Sequence, residues 1–204
     1  IPRPKISKRQ YNSNMTYSSP YQSHFNIESI LDIIKDYIKC EKFNINSTNF
    51  KLNLVYASRR DGDKAFDFHN KLKNYRPTLV IIQDEKNNIF GGYTTKSWEP
   101  ENEFETYVKD KEAFIFVNNK VHTIGEEKMQ RAINIGPTKG PSFGQDIVIN
   151  DEFCTNNTNY IKLQFSTYIG DDFSILEINN KNLTPCIYAM WHADQFSLYG
   201  LKNE

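Results

Sequence analysis

The sequence lacks an excess of either charge, contains little cysteine and has no long apolar run. Its 25 basic and 25 acidic residues cancel, which excludes the strongly basic surface expected of a dedicated nucleic-acid binder. A transmembrane helix needs a run of about 18 apolar residues, and a signal peptide needs an apolar core near the N-terminus. Neither occurs, so we expect a cytoplasmic protein without direct membrane insertion.

Metal and redox motifs are also missing. Cys40, Cys154 and Cys186 lie far apart and form no C-x-x-C pair, and the four histidines form no H-x-x-x-H pair. Reduced thiols are therefore expected, with no metal site and no cofactor.

The chain divides into three segments by composition. Residues 1–25 mix Pro, Ser, Asn and Tyr with basic residues and have no helical or strand periodicity, which predicts a flexible arm. Residues 26–180 carry the periodic patterns of a folded domain, which open with an amphipathic helix over residues 27–40. Residues 181–204 form an apolar C-terminal extension, and we expect this extension to pack on the domain or on a partner.

A strand and a short helix are predicted next. Residues 51–58 alternate, which places Leu52, Leu54 and Tyr56 on one side of a half-buried strand. After the turn at Asp61, Asp63 is positioned to cap a helix. That helix should pack through one stripe, which consists of Ala65, Phe68, His69 and Leu72.

The remaining patterns are those of strands that follow one another without intervening helices. Residues 78–83 and 89–95 flank a turn-rich loop, as in a β-hairpin. Further strands are predicted at residues 113–117, 120–124, 131–135, 146–149, 161–167 and 173–178. This order predicts an α+β fold, a two-sheet antiparallel β-sandwich flanked by helices.

Two patterns in the sequence are formally similar to catalytic motifs. Residues 140–144 match G-x-S-x-G, the nucleophile elbow of α/β-hydrolases, but no strand precedes the serine and no helix follows it. Cys154 with His192 would be a nucleophile and base, although their spacing gives no support. His69, Cys154 and Glu177 are the only residues that a weak redox-linked enzyme could use.

Several motifs follow one another in order: LVYASRRDG at 54–62, AFDFH at 65–69, PTL at 77–79, IFGGYT at 89–94, SW at 97–98, EAFIF at 112–116, GPSFG at 140–144 and FSILEI at 173–178. Together they resemble the TLDc domain. The resemblance implies a helix-wrapped antiparallel sandwich without catalytic residues. It also implies the functions associated with TLDc proteins, namely oxidative-stress protection and binding to the vacuolar-type proton ATPase.

The leading hypothesis is therefore a non-catalytic protein-interaction domain that binds a large assembly such as this ATPase. A structural subunit of another complex, for example a ciliary or cytoskeletal one, is the alternative. In either case the protein would be peripheral to a membrane or cytoskeletal complex. Loops on a rigid sandwich are the expected contact elements. The candidate partner-binding residues are Asp61, Gly62, Gly91, Gly92, Gly140, Phe143, Gly144 and Trp191.

Overall fold

A computed structural model describes residues 27–34, 50–117, 120–155, 159–161, 167–169 and 183–192. The helices in these ranges are α1 (Ile27–Ile34), α2 (Ser58–Asp61), α3 (Ala65–Leu72) and a 3-10 helix (Glu126–Arg131). The strands are β1 (Phe50–Ala57), β2 (Thr78–Gln83), β3 (Ile89–Thr94), β4 (Thr106–Val108), β5 (Phe114–Val117), β6 (Lys120–Thr123), β7 (Ile133–Ile135), β8 (Ser142–Phe143), β9 (Ile147–Val148), β10 (Tyr160–Ile161) and β11 (Thr184–His192).

These strands form two antiparallel sheets. One sheet has the order β1-β11-β2-β3-β5-β6, and the other has the order β10-β9-β8-β7-β4. The hairpin predicted at residues 78–95 is confirmed as β2 paired with β3. The predicted fold class, an α+β sandwich of two antiparallel sheets flanked by helices, is confirmed as well.

The main hydrophobic core lies between the two sheets. Val80, Phe90 and Ile115 of the larger sheet belong to the same buried cluster as Ile133 and Phe143 of the smaller one. The stripe predicted on α3 is confirmed, because its four residues Ala65, Phe68, His69 and Leu72 are all buried. The helix thus packs through the face that its sequence marks as apolar.

The outer face of the larger sheet is buried too. Leu79, Ile81, Tyr93 and Phe114 form a second cluster with Ile30 of α1. Because both faces are covered, β2 is a nearly continuous apolar run and does not alternate. The remainder of the helix predicted over residues 27–40 lies outside the described residues.

A β-bulge corrects the predicted orientation of β1. The register of β1 against β11 shifts between Leu54 and Tyr56. Leu52 and Leu54 pack against the outer cluster, whereas Tyr56 joins the core between the sheets. The prediction that all three share one side was wrong, because one extra residue in a strand reverses the alternation that follows it.

The start of α3 is a second correction. Asp63 does not cap the helix; the N-cap position is Lys64, without a side-chain hydrogen bond. Instead, the Ala65 N–H donates to Oδ1 of Asp151 over 2.6 Å. A residue 86 positions away therefore supplies the acceptor that the first turn requires.

Strand β11 lies inside the larger sheet, between β1 and β2. It pairs with both neighbours, and Ile187 stands opposite Tyr56 on one side and Val80 on the other. Part of the segment set apart as residues 181–204 is thus a central strand, and the boundary at residue 180 does not separate it from the domain. Its pairing partners precede it by more than a hundred residues, so local patterns gave no sign of them.

Other strand predictions vary in accuracy. The strand predicted from Arg131 begins at Ile133, since Arg131 ends the 3-10 helix, and β4 and β8 were not predicted. Residues 173–178, residues 162–166 and the N-terminal arm lie outside the described residues. In the part of the chain that the structure describes, no helix combines the length and the apolar character that crossing a bilayer requires.

Candidate functional site

The Asp61-Gly62 turn is held by its own motif. Asp61 Oδ2 accepts hydrogen bonds from the Ala57 N–H at 2.9 Å and from Arg60 at 2.6 Å. The Tyr56 hydroxyl donates to the Gly62 carbonyl at 2.6 Å, and Gly62 has a φ of 103°, which favours glycine. The motif that carries the family resemblance therefore builds a rigid turn, and Asp61 and Gly62 remain partly exposed.

The electrostatics of this turn favour an ionised Asp61. Burial alone would raise the pKa of Asp61, but hydrogen bonds from Arg60 and Ala57 and the charges of Arg60 and Lys71 lower that pKa below its ordinary value. Burial, and then the carboxylates of Asp67 and Asp61, raise the pKa of Tyr56 well above its ordinary value. Tyr56 thus remains a neutral donor to the turn.

Gly91 and Gly92 are buried in β3 and not in a loop. A Cβ on Gly92 would lie 2.7 Å from the Phe143 ring and 2.8 Å from the Phe114 carbonyl oxygen. A Cβ on Gly91 would overlap the carbonyl oxygen of Val80. Both glycines are buried and are required for close packing, so they belong to the frame of the larger sheet.

The third predicted loop, residues 140–144, is also buried. Phe143 is fully buried, with its ring edge-on to Trp98, and Gly140 packs beneath the Phe153 ring. Gly144 has a φ of 55° and packs against Thr167. These residues thus take part in the packing of the smaller sheet.

Ser142, the serine of the G-x-S-x-G match, is fully buried in β8. Its hydroxyl donates to the Ile149 carbonyl at 3.3 Å and accepts from the Ile149 N–H at 2.9 Å. It has the surroundings of a structural serine. Trp191, the last predicted partner-binding residue, belongs to β11 opposite Lys51, and its side chain lies outside the described residues.

His69 occupies a structural position. Its Nδ1 lies 2.5 Å from the Trp98 carbonyl oxygen, and its Nε2 lies 2.9 Å from that of Gly136. Burial lowers the pKa of His69, although these carbonyl contacts oppose the shift. A neutral imidazole has one N–H and donates to one carbonyl only. His69 thus connects α3 with two loops.

Cys154 is half-buried, and its thiol donates to the Leu183 carbonyl over 3.6 Å. Burial raises the pKa of this thiol above its ordinary value, and the hydrogen bond with Ser58 only partly opposes the rise. The thiol therefore remains protonated at neutral pH and is a weak nucleophile. Glu177, the remaining residue named for an enzyme, lies outside the described residues.

A surface that was not predicted lies beside α3. Among the described residues, Phe104 and Phe66 are the most exposed large hydrophobic side chains, at 78% and 70%. A groove of about 270 Å³ lies beside this helix. It is lined by Phe66, His69, Asn70, Lys73, Glu99, Pro100 and Pro137. The sequence carries a signal for this surface, since Glu recurs at every second position of residues 99–105, next to Phe104.

The fold and this surface together define a class of protein: a small antiparallel β-sandwich wrapped by short helices, with buried glycines that tighten the sheets and an exposed aromatic and acidic face. A sequence profile of the TLDc domain matches residues 21–186. The chain belongs to the TLDc domain family, as its motifs indicated. No curated protein sequence matches it significantly.

Proposed function

We propose that the chain is a non-catalytic protein-interaction domain that docks on a large cytoplasmic assembly, with the vacuolar-type proton ATPase as the first assembly to test. Membership of the TLDc family over residues 21–186 is the observation that carries this proposal. The proposal includes a role in oxidative-stress protection through such binding and not through chemistry of the chain itself.

The rigid frame supports a binding role. Close packing at Gly91 and Gly92 and the aromatic contacts of Trp98 with Phe68 and Phe143 hold the two sheets in one arrangement. Exposed Phe66 and Phe104 stand on this frame, and aromatic side chains are enriched in protein interfaces. A preorganised surface loses little conformational entropy on binding.

The surroundings of Cys154 and His69 support a non-catalytic role. Cys154 has a raised pKa, the opposite of what an activated thiolate needs. Both ring nitrogens of His69 face main-chain carbonyls inside the protein, so neither is directed at a substrate. We therefore expect the purified chain, and its Cys154→Ser variant, to leave the rate of peroxide decay at background.

A pull-down from cytosolic and membrane extracts tests the proposal, with the intact chain as bait and mass spectrometry as the readout. Recovery of proton-ATPase subunits is the expected result. A Gly92→Arg chain serves as the control for adhesion to non-native protein, because an arginine side chain has no space between β3 and Phe143.

Other outcomes are equally informative. Enrichment of a cytoskeletal or ciliary assembly would reject the ATPase and assign the domain to a structural complex. Equal recovery by the native and the Gly92→Arg baits would reject specific binding altogether. Peroxide consumption that disappears in Cys154→Ser would reject the non-catalytic assignment.

A further inference from the structure

The loop before β4 combines exposed acidic and aromatic side chains. Residues 99–105 contain four glutamates and no lysine or arginine, and Phe104 is 78% exposed between Glu103 and Glu105. Lys139 forms an ion pair with Glu105 at 3.2 Å. Glu99, Glu101 and Glu103 make no ion pair with any residue that the structure describes. Three carboxylates are thus available beside an exposed aromatic ring.

This acidic loop adjoins the groove next to α3. Glu99 and Pro100 belong to the groove lining, together with Phe66 and Pro137, and Lys73 contributes one positive charge to that lining. At the other end of the loop, Glu105 packs on Gly136, the residue before Pro137, because a Cβ on Gly136 would lie 2.9 Å from Glu105 Cγ. Loop and groove therefore form one continuous surface, which we call the acidic face.

A buried acceptor lies beneath the same loop. Asn134 of β7 is 5% exposed, and its Nδ2 donates weakly to Glu105 Oε2 over 3.5 Å. The Oδ1 of Asn134 has no hydrogen-bond partner among the described residues. A buried acceptor without a donor costs free energy. A donor group of a bound segment that reaches beneath the loop would give Asn134 Oδ1 the partner it lacks.

We propose that the acidic face binds a basic, extended segment of a partner protein, with its lysines or arginines against Glu99, Glu101 and Glu103 and one apolar side chain in the groove beside Phe66. The acidic loop repels phosphate groups, which excludes nucleic acid and anionic lipid as occupants. Phe104 and Phe66 supply apolar contact that a free metal ion would not use. This inference rests on the proposed function and names the chemistry of the partner.

The test uses the whole chain and two fluorescent twelve-residue peptides. The basic peptide alternates Lys or Arg with Leu, Val and Pro, and the acidic peptide has Glu at each basic position. Fluorescence anisotropy should detect binding of the basic peptide only. The Kd should rise roughly tenfold between 50 and 300 mM salt, because surface charges are screened.

Charge-reversal variants locate the site. Glu101→Lys/Glu103→Lys should weaken binding of the basic peptide by roughly tenfold, because attraction becomes repulsion. Phe104→Ser should weaken it by roughly fivefold through lost apolar contact. The matched control is Glu126→Lys/Glu127→Lys, which changes two exposed glutamates of the 3-10 helix, near the opposite end of β4. It should bind within about twofold of the native chain.

Circular dichroism melts establish that each variant is folded. Equal binding of both peptides, absence of binding, or unchanged binding by Glu101→Lys/Glu103→Lys would overturn the inference. The pull-down distinguishes this failure from failure of the proposed function. If the charge-reversal variant still recovers the assembly, the domain is an interaction module that uses another surface. If the basic peptide binds but the pull-down recovers no assembly, the acidic face is supported as a binding site. The proton ATPase is then rejected as the partner.

Discussion

Asp151 caps a helix that begins at Ala65: its Oδ1 lies 2.6 Å from the Ala65 amide nitrogen. The loop that carries Asp151 is in turn fixed by a hydrogen bond from its own N–H to the Thr138 carbonyl. Nearby, the Phe153 N–H donates to the Asp63 carbonyl over 2.9 Å. One loop thus determines where α3 starts.

The first prediction concerns this cap. Asp151→Ala should lower the free energy of unfolding by about 1 kcal/mol, because an orphan N–H of the first turn loses its acceptor. Asp151→Asn retains a side-chain oxygen, so its free energy of unfolding should fall by less. Urea denaturation measures both. Asp63→Ala is the comparison, since the Asp63 side chain does not cap α3, and a larger loss at Asp63 than at Asp151 would contradict the assignment.

A second prediction tests close packing at β3. Gly92→Ala should destabilise the chain by about 1–3 kcal/mol, because the added methyl group meets the Phe143 ring and a main-chain carbonyl. Gly125→Ala is the matched control. The three atoms nearest to its Cβ would all belong to the flexible carboxylate of Glu127, so thermal melts should show a small change. If the two variants lose similar amounts of stability, the sheets relax around position 92 and the close packing is not required.

The third prediction is a pH dependence that originates at His69. Burial lowers the folded-state pKa of His69 below its ordinary value of 6.5, so the unfolded chain binds the proton more tightly than the folded one. The contribution to stability is therefore complete above pH 6.5 and is lost as the pH falls from 6.5 through the folded-state pKa. Urea denaturation at several values in this window measures the slope.

His69→Gln removes the titrating group and should flatten the stability profile below pH 6.5, whatever its effect on stability at neutral pH. The glutamine amide can still donate to one carbonyl. If native and variant chains show the same slope, the pH dependence arises from other groups.

A fourth prediction addresses the central strand β11. Ile187→Pro should prevent cooperative folding, because proline removes a ladder N–H and β11 is paired on both sides. Ile187 is fully buried, so Ile187→Val tests its packing separately and should cost about 1 kcal/mol. The two chains are compared by circular dichroism and proteolysis. A protease-resistant Ile187→Pro chain would show that the sheet does not depend on β11.

Local patterns predicted elements whose partners are close in sequence. The β2–β3 hairpin and the buried stripe of α3 follow from alternation, turn residues and helical spacing within a few positions. The motifs from residue 54 to residue 178 indicated the family through their order and spacing along the chain.

Candidate site residues were harder to predict. Glycine in a strand indicates either a close approach or an exposed bulge, and the sequence does not say which. The structure buries Gly91, Gly92 and Gly140 against aromatic or carbonyl groups of other strands. Phe66 and Phe104 resemble core residues in the sequence, yet no other element covers them among the described residues.

The sequence by itself determined the fold class and the positions of most local elements, because periodicity and turn chemistry act between near neighbours. The family followed from the resemblance of its motifs to the TLDc domain. Only the tertiary structure decided the bulge at Tyr56, the cap from Asp151 and the place of β11 between β1 and β2. It also decided which aromatic side chains are exposed. Each of these depends on contacts between residues far apart in the chain, and a side chain is buried only when a distant element covers it.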